Sequence, residues 1–135
     1  MQITLSVSQS IVRAAMKKAE SLGALVSVAV VDSGGHLVAF GRMDGAEIAG
    51  PTLAVDKAYT SVSNRISTKG LSVLAAPGGP LFGLHANGGG RYVIFGGGVP
   101  IFDGDAVVGG IGVSGGEVDE DVACAEAGLS VLQSE

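Results

Sequence analysis

Apolar residues at Ile11, Val12, Ala15, Met16, Ala19 and Leu22 fall on one stripe of a helix running from about Ser8 to Leu22. Gly23 follows, a residue suited to the left-handed conformation that ends a helix. The period then changes. Ala24–Val31 is a continuous apolar, β-branched run, Asp32-Ser33-Gly34-Gly35 is a turn, and His36–Phe40 is a second run, which together predict a β-hairpin. Helical spacing returns at Leu53, Ala54, Ala58, Ser61, Val62 and Arg65, with Pro51 near the start, where its missing N–H costs least.

From Lys69 to Gly90 no period survives. Pro77-Gly78-Gly79-Pro80 and Gly88-Gly89-Gly90 interrupt short apolar pieces, which predicts a long irregular loop of the kind that often carries function. Three short strands are then expected, at Arg91–Phe95, Val99–Phe102 and Ala106–Val113; Pro100 suits the middle one to an edge or a bulge. Val118, Val122, Ala125, Leu129 and Leu132 give a last helix, Val118–Leu132, with Asp119, Glu120 and Asp121 complementing its dipole in the first turn. Helix, two strands, helix, three strands, helix is the order. With tight turns between strands, it predicts a single α+β domain over residues 1–135, three layers deep, with a five-stranded antiparallel sheet flanked by helices.

Composition narrows the function. At 47% hydrophobic and 16% charged the chain must fold into a packed globule, and its 23 glycines are clustered rather than periodic, which excludes collagen. No apolar run is long enough to cross a bilayer and the first residues lack a signal-peptide pattern, so a cytoplasmic protein is expected. A net charge of −5 and the absence of Trp argue against nucleic acid or an anionic membrane as partner. All eight Lys and Arg lie within residues 1–100, leaving 101–135 purely acidic. The single cysteine, Cys124, sits among alanines and reads as a small buried hydrophobe. Few aromatics against a high apolar fraction favour self-association into a homo-oligomer.

Four stretches taken in order, AVVDSGGHLVAFGRMDGA (29–46), AVDKAYTSVS (54–63), GGRYVIFGGGVPI (89–101) and VVGGIGVSGGEVDEDVACAEAG (107–128), resemble the GlcG/HbpS-like family, also called the haem-degrading domain family. The likeness covers nearly the whole chain. It implies a profilin-like domain that assembles into homo-oligomers. For function it implies a mixture: some members bind or help degrade haem, and some are fused to corrinoid adenosyltransferases. Function has to be argued from the site.

Lys57 lies on or beside the inward stripe of the second helix, as a base, a Schiff-base amine or an anion anchor, or else as a stem reaching water or pairing with Asp32 or Asp56. Thr60 is its neighbour in the segment that carries the resemblance. His36 at the hairpin mouth and His85 in the flexible loop are each able to approach a metal or move a proton, or to do neither. Arg42 would bind a carboxylate, or pair with Asp44 or Glu47; Arg91, after three glycines, would share an anion with backbone N–H groups such as those of Gly89 and Gly97. Gly110-Ile-Gly112-Val-Ser-Gly115 has dinucleotide-site spacing in the wrong context, before an acidic helix and with no βαβ unit, so its glycines read as close-packing positions or an open backbone rim. No structural metal site is expected.

Two functions remain open. The first is a homo-oligomeric small-molecule binder, for haem or a related tetrapyrrole, with Arg42 and Arg91 on propionates, His36 or His85 at the metal, and Leu81, Phe82 and Leu84 over the ring. The alternative is a cofactor-free lyase, isomerase or hydratase acting on a small anionic oxygenated metabolite, with Lys57, His36 or His85 moving the proton.

Overall fold

Thr4 opens the first helix by accepting the Val7 N–H on its hydroxyl at 3.2 Å, which places the start of α1 (Leu5–Leu22) one turn earlier than the apolar stripe alone predicts. Gly23, at φ 70°, closes it. The computed structural model describes residues 1–134. After α1 come β1 (Ser27–Asp32), β2 (Leu37–Arg42), α2 (Gly50–Asn64), α3 (Thr68–Leu74), β3 (Gly98–Asp103), β4 (Ala106–Ser114) and α4 (Val118–Leu129), with single 3-10 turns at Leu84–Ala86, Gly88–Gly90 and Ser130–Ser134.

The strands form one antiparallel sheet in the order β2-β1-β4-β3. Its central pair, β1 with β4, runs from Ser27 opposite Ser114 to Asp32 opposite Gly109. β3 is an edge, as Pro100 requires, and a bulge follows at Ile101/Phe102.

The sheet has four strands among the described residues, not five. The predicted strand at Arg91–Phe95 is irregular because its backbone is engaged elsewhere: the Val93 N–H donates to the Thr60 hydroxyl on α2 at 3.0 Å instead of entering a ladder. The predicted loop after Lys69 contains a helix instead. Ser67 caps α3 by accepting the Gly70 N–H at 3.0 Å, and Leu71 buries its only strong apolar anchor, too short a pattern to show a period. Arg65 is not a helical residue but the left-handed residue that ends α2, at φ 58°.

The sheet is covered on both sides. α1 and α4 pack on one face, where Ile11, Ala15, Val28, Val30, Ile111, Val113, Cys124 and Ala125 form the main core. α2 covers the other, where Val31 meets Ala58 and Val62. On that face the strands present glycine: a Cβ on Gly112 would stand 1.9 Å from the Ala54 carbonyl oxygen, and one on Gly98 2.3 Å from the Lys57 carbonyl oxygen. The glycines of the G-x-G-x-x-G segment thus serve close packing, and α2 lies with its backbone directly on the sheet.

Candidate functional site

Close approach of α2 carries Lys57 into the interior. Ala54, Lys57, Ala58 and Ser61 form the buried face of that helix, and the lysine side chain is 1% exposed. Its ammonium donates to the Val113 carbonyl at 2.9 Å and to Asp121 Oδ2 at 3.2 Å, and lies 5.0 Å from the centre of the Phe95 ring. Gly97, at φ 132°, leaves the room: a Cβ there would be 2.7 Å from the lysine nitrogen. Asp121, in the first turn of α4, is 4% exposed and also accepts the Gly116 N–H at 2.9 Å.

Burial pushes the Lys57 ammonium below its ordinary value, against the opposing pull of Asp121. Burial likewise pushes the Asp121 carboxyl up, with Lys57 opposing. Sequence reasoning offered Asp32 or Asp56 as partners and missed Asp121, which read only as a dipole-complementing acid. The available signal was that a lysine on an inward stripe needs a carboxylate, and the acidic last quarter of the chain supplies them.

Phe95 has a second role. With Leu53, His85, Gly90, Tyr92, Val93 and Ile94 it lines an open cavity of ≈ 380 Å³. This wall is apolar and aromatic, and His85 supplies its one imidazole. The imidazole meets Phe82 edge to face at 6.4 Å and, among the described residues, makes no hydrogen bond. A larger groove of ≈ 420 Å³ between α1 and β2, lined by Leu5, Gln9, Val12, Arg13, Val38, Ala39 and Phe40, offers neither histidine nor acid.

The other candidate residues are dispersed. Thr60 is fully buried and tied into the backbone, donating to the Asp56 carbonyl at 2.6 Å and accepting from Val93. Arg91 stands beside the cavity, its Nε on Asp56 Oδ1 at 3.0 Å and its guanidinium 3.6 Å above the Tyr59 ring. Gly89 has open space around it, in the left-handed region at φ 68°. Arg42 lies on the far edge strand and donates to the Ala46 carbonyl from Nε and Nη2, at 3.2 and 2.7 Å, rather than to Asp44 or Glu47. His36 is exposed in the β1–β2 turn, its Nδ1 3.3 Å from Asp32 Oδ1. The Asp32 carboxyl sits below its ordinary value, chiefly because it accepts the His36 N–H. Lys57, His36 and His85 therefore occupy three separate places.

A sequence profile described as "Haem degrading protein HbpS-like" matches residues 3–130. The chain belongs to the HbpS-like family. Within reach of this HbpS-like chain is a Citrobacter freundii protein known as the uncharacterized 15.0 kDa protein in the dhaT-dhaS intergenic region, 37% identical over 94% of the chain and 89% of the relative. The corrinoid adenosyltransferase PduO of the same organism is 33% identical over 98% of the chain, which spans only 39% of that enzyme. Among solved structures, Klebsiella pneumoniae protein ORFY superposes with a TM-score of 0.95 at 34% identity, covering 100% of the chain and 94% of ORFY. PduOC, solved as a complex with haem, gives 0.93 at 32% identity, covering 97% and 95%. The α+β architecture of the HbpS-like chain is that of these structures. No helix among the described residues is long and apolar enough to cross a membrane, and no group of three or more His, Cys, Asp or Glu is placed to hold a metal ion.

Proposed function

We propose that this chain binds a small flat ligand, haem or a related tetrapyrrole, in the cavity walled by Leu53, Tyr92, Val93, Ile94 and Phe95. The observation that carries the reading is His85, an imidazole without a hydrogen-bonding partner among the described residues, at the edge of an apolar and aromatic wall. A porphyrin needs such a wall for its faces and an imidazole for its metal. Its carboxylates need cations: Arg91 follows Gly90 on the cavity rim and uses only Nε toward Asp56, keeping its terminal nitrogens for an anion, with Gly89 exposed beside it. The haem complex of PduOC, whose structure is so similar, supports the choice of ligand. When bound, the group would supply redox-active iron.

Arg42 and His36 take no part in this reading, since both are held away from the cavity. Thr60 and Gly97 act by shaping the cavity's support rather than by touching the ligand. Self-association belongs to the proposal, supported by Ile48, Val73 and Phe82, exposed at 87%, 73% and 62%. The alternative of proton transfer on a small anionic metabolite has one observation in its favour, the buried Lys57–Asp121 pair, and against it the engagement of Arg42 by the Ala46 carbonyl. In a haemin titration followed by absorbance, the expected result is a saturable Soret shift that His85→Ala abolishes and His36→Ala leaves intact. A non-saturable response, or equal binding by His85→Ala, would overturn the assignment.

A further inference from the structure

Phe95 separates two environments. Its ring lies over the Lys57 nitrogen on the inner side and forms part of the cavity wall on the outer side, and the residue is 40% exposed. Among the residues lining that cavity, Phe95 is the one whose ring meets the desolvated Lys57 amine. That amine has a proton acceptor at 3.2 Å in Asp121, a backbone carbonyl fixing it at 2.9 Å, and a glycine where any other residue would fill the space beside it. A structural lysine has no need of an aromatic cover that doubles as a cavity wall.

We propose that Lys57 is a carbonyl-trapping amine, condensing reversibly with a small uncharged aldehyde admitted past Phe95. The activity requires no tetrapyrrole, and because both use the cavity that Phe95 walls, a bound tetrapyrrole would block it. In the first step Asp121 takes a proton from the ammonium, the freed lone pair forms a C–N bond to the carbonyl carbon while the carbonyl π pair moves to oxygen, and a second proton passes from the now cationic nitrogen to that oxygen to give a neutral carbinolamine. In the second, Asp121 returns its proton to that hydroxyl, the C–O bond breaks, and water leaves a protonated imine. Ammonium plus aldehyde thus gives iminium plus water, with charge and atoms conserved. The iminium inherits the Asp121 carboxylate as its counter-ion.

Substrate class follows from the surroundings. On the inner side the iminium's neighbours are the Asp121 carboxylate and the Val113 carbonyl oxygen, so at the amine itself a neutral aldehyde fits and a carboxylated one is repelled. The glycine at position 97 and the single ring's width of access restrict it to a few carbon atoms.

The test uses haem-free protein, propanal and cyanoborohydride, with alkylated lysines located by peptide mass mapping. Of the four lysines, Lys17, Lys18 and Lys69 are exposed and act as internal references. Lys57 is expected to be alkylated ahead of them in wild-type protein, and several-fold faster again in Phe95→Ala, where the ring no longer covers the amine. Phe95→Ala should leave the three references unchanged. Alkylation confined to Lys17, Lys18 and Lys69 in both proteins would overturn the proposal, as would labelling of Lys57 no faster than global unfolding measured by hydrogen exchange.

Discussion

On one side of the sheet Val28, Val30, Ile111 and Val113 reach into α1 and α4; on the other Gly98, Gly110 and Gly112 let the α2 backbone settle directly on β3 and β4, with Val31 of β1 beside them. Side chains that interdigitate have rotamers to spare, so a lost methyl is partly accommodated by neighbours. Backbone against backbone has no such freedom. Among the described residues, the one ion pair buried on both sides joins Lys57 of α2, on the glycine face, to Asp121 at the start of α4, while the aliphatic face holds a thiol, Cys124. The face whose strands carry glycine is thus the one on which position is fixed most tightly, and Lys57 reaches the interior from it.

The largest effect is expected from Lys57→Met, which leaves Asp121 buried without its cation and should cost about 3–5 kcal/mol in urea unfolding. Adding Asp121→Leu should recover part of that loss; a single variant as stable as the wild type would show the pair to be dispensable. Next in size is the contrast within β4. Gly112→Ala should cost about 3 kcal/mol, since the new methyl meets the Ala54 carbonyl and the Ala58 nitrogen, whereas Ile111→Val, one residue away and facing α1 and α4, should cost about 1 kcal/mol. Equal costs would erase the distinction between the faces. The smallest is a pH effect on the aliphatic face. Burial pushes the Cys124 thiol up to about 11 from 9.0, so below pH 9 its contribution to stability is complete, and it is lost as pH rises through about 11. Wild-type protein should therefore lose up to about 2 kcal/mol relative to Cys124→Ala between pH 9 and 11, and parallel stability curves would place the thiol in contact with water.

Elements with a full period or a tight turn were legible: α1, the β1–β2 hairpin, α2, β4 and α4 follow the apolar spacing, although α1 starts a turn earlier and α4 ends at Leu129, short of the expected Leu132, and Pro100 marked the edge strand. Arg91–Phe95 misled because an apolar β-branched run says nothing about where its amides are satisfied, and here Thr60 from a helix satisfies one of them. α3 was hidden by its length of seven residues and by Gly70 within it. Lys57 stood out as an inward lysine, but its partner did not, because Asp121 lies 64 residues away and shared its turn with Asp119 and Glu120, either of which reads the same. Arg91 was recognised as a cation beside a glycine run, though not its stacking on Tyr59, which needs α2 in place.

The strand order has a bearing on how the chain comes to be folded. β1 is complete at Asp32, yet one of its two neighbours, β4, ends at Ser114. During synthesis the hairpin β1–β2 emerges with the inner edge of β1 unpaired, and it stays so while α2, α3 and the glycine-rich loop are made. Pairing across so long a loop is slow, which makes assembly of the sheet's centre the late step. α1 precedes the hairpin in the chain and packs on its apolar face, so the part of β1 that waits for β4 is its hydrogen-bonding edge alone.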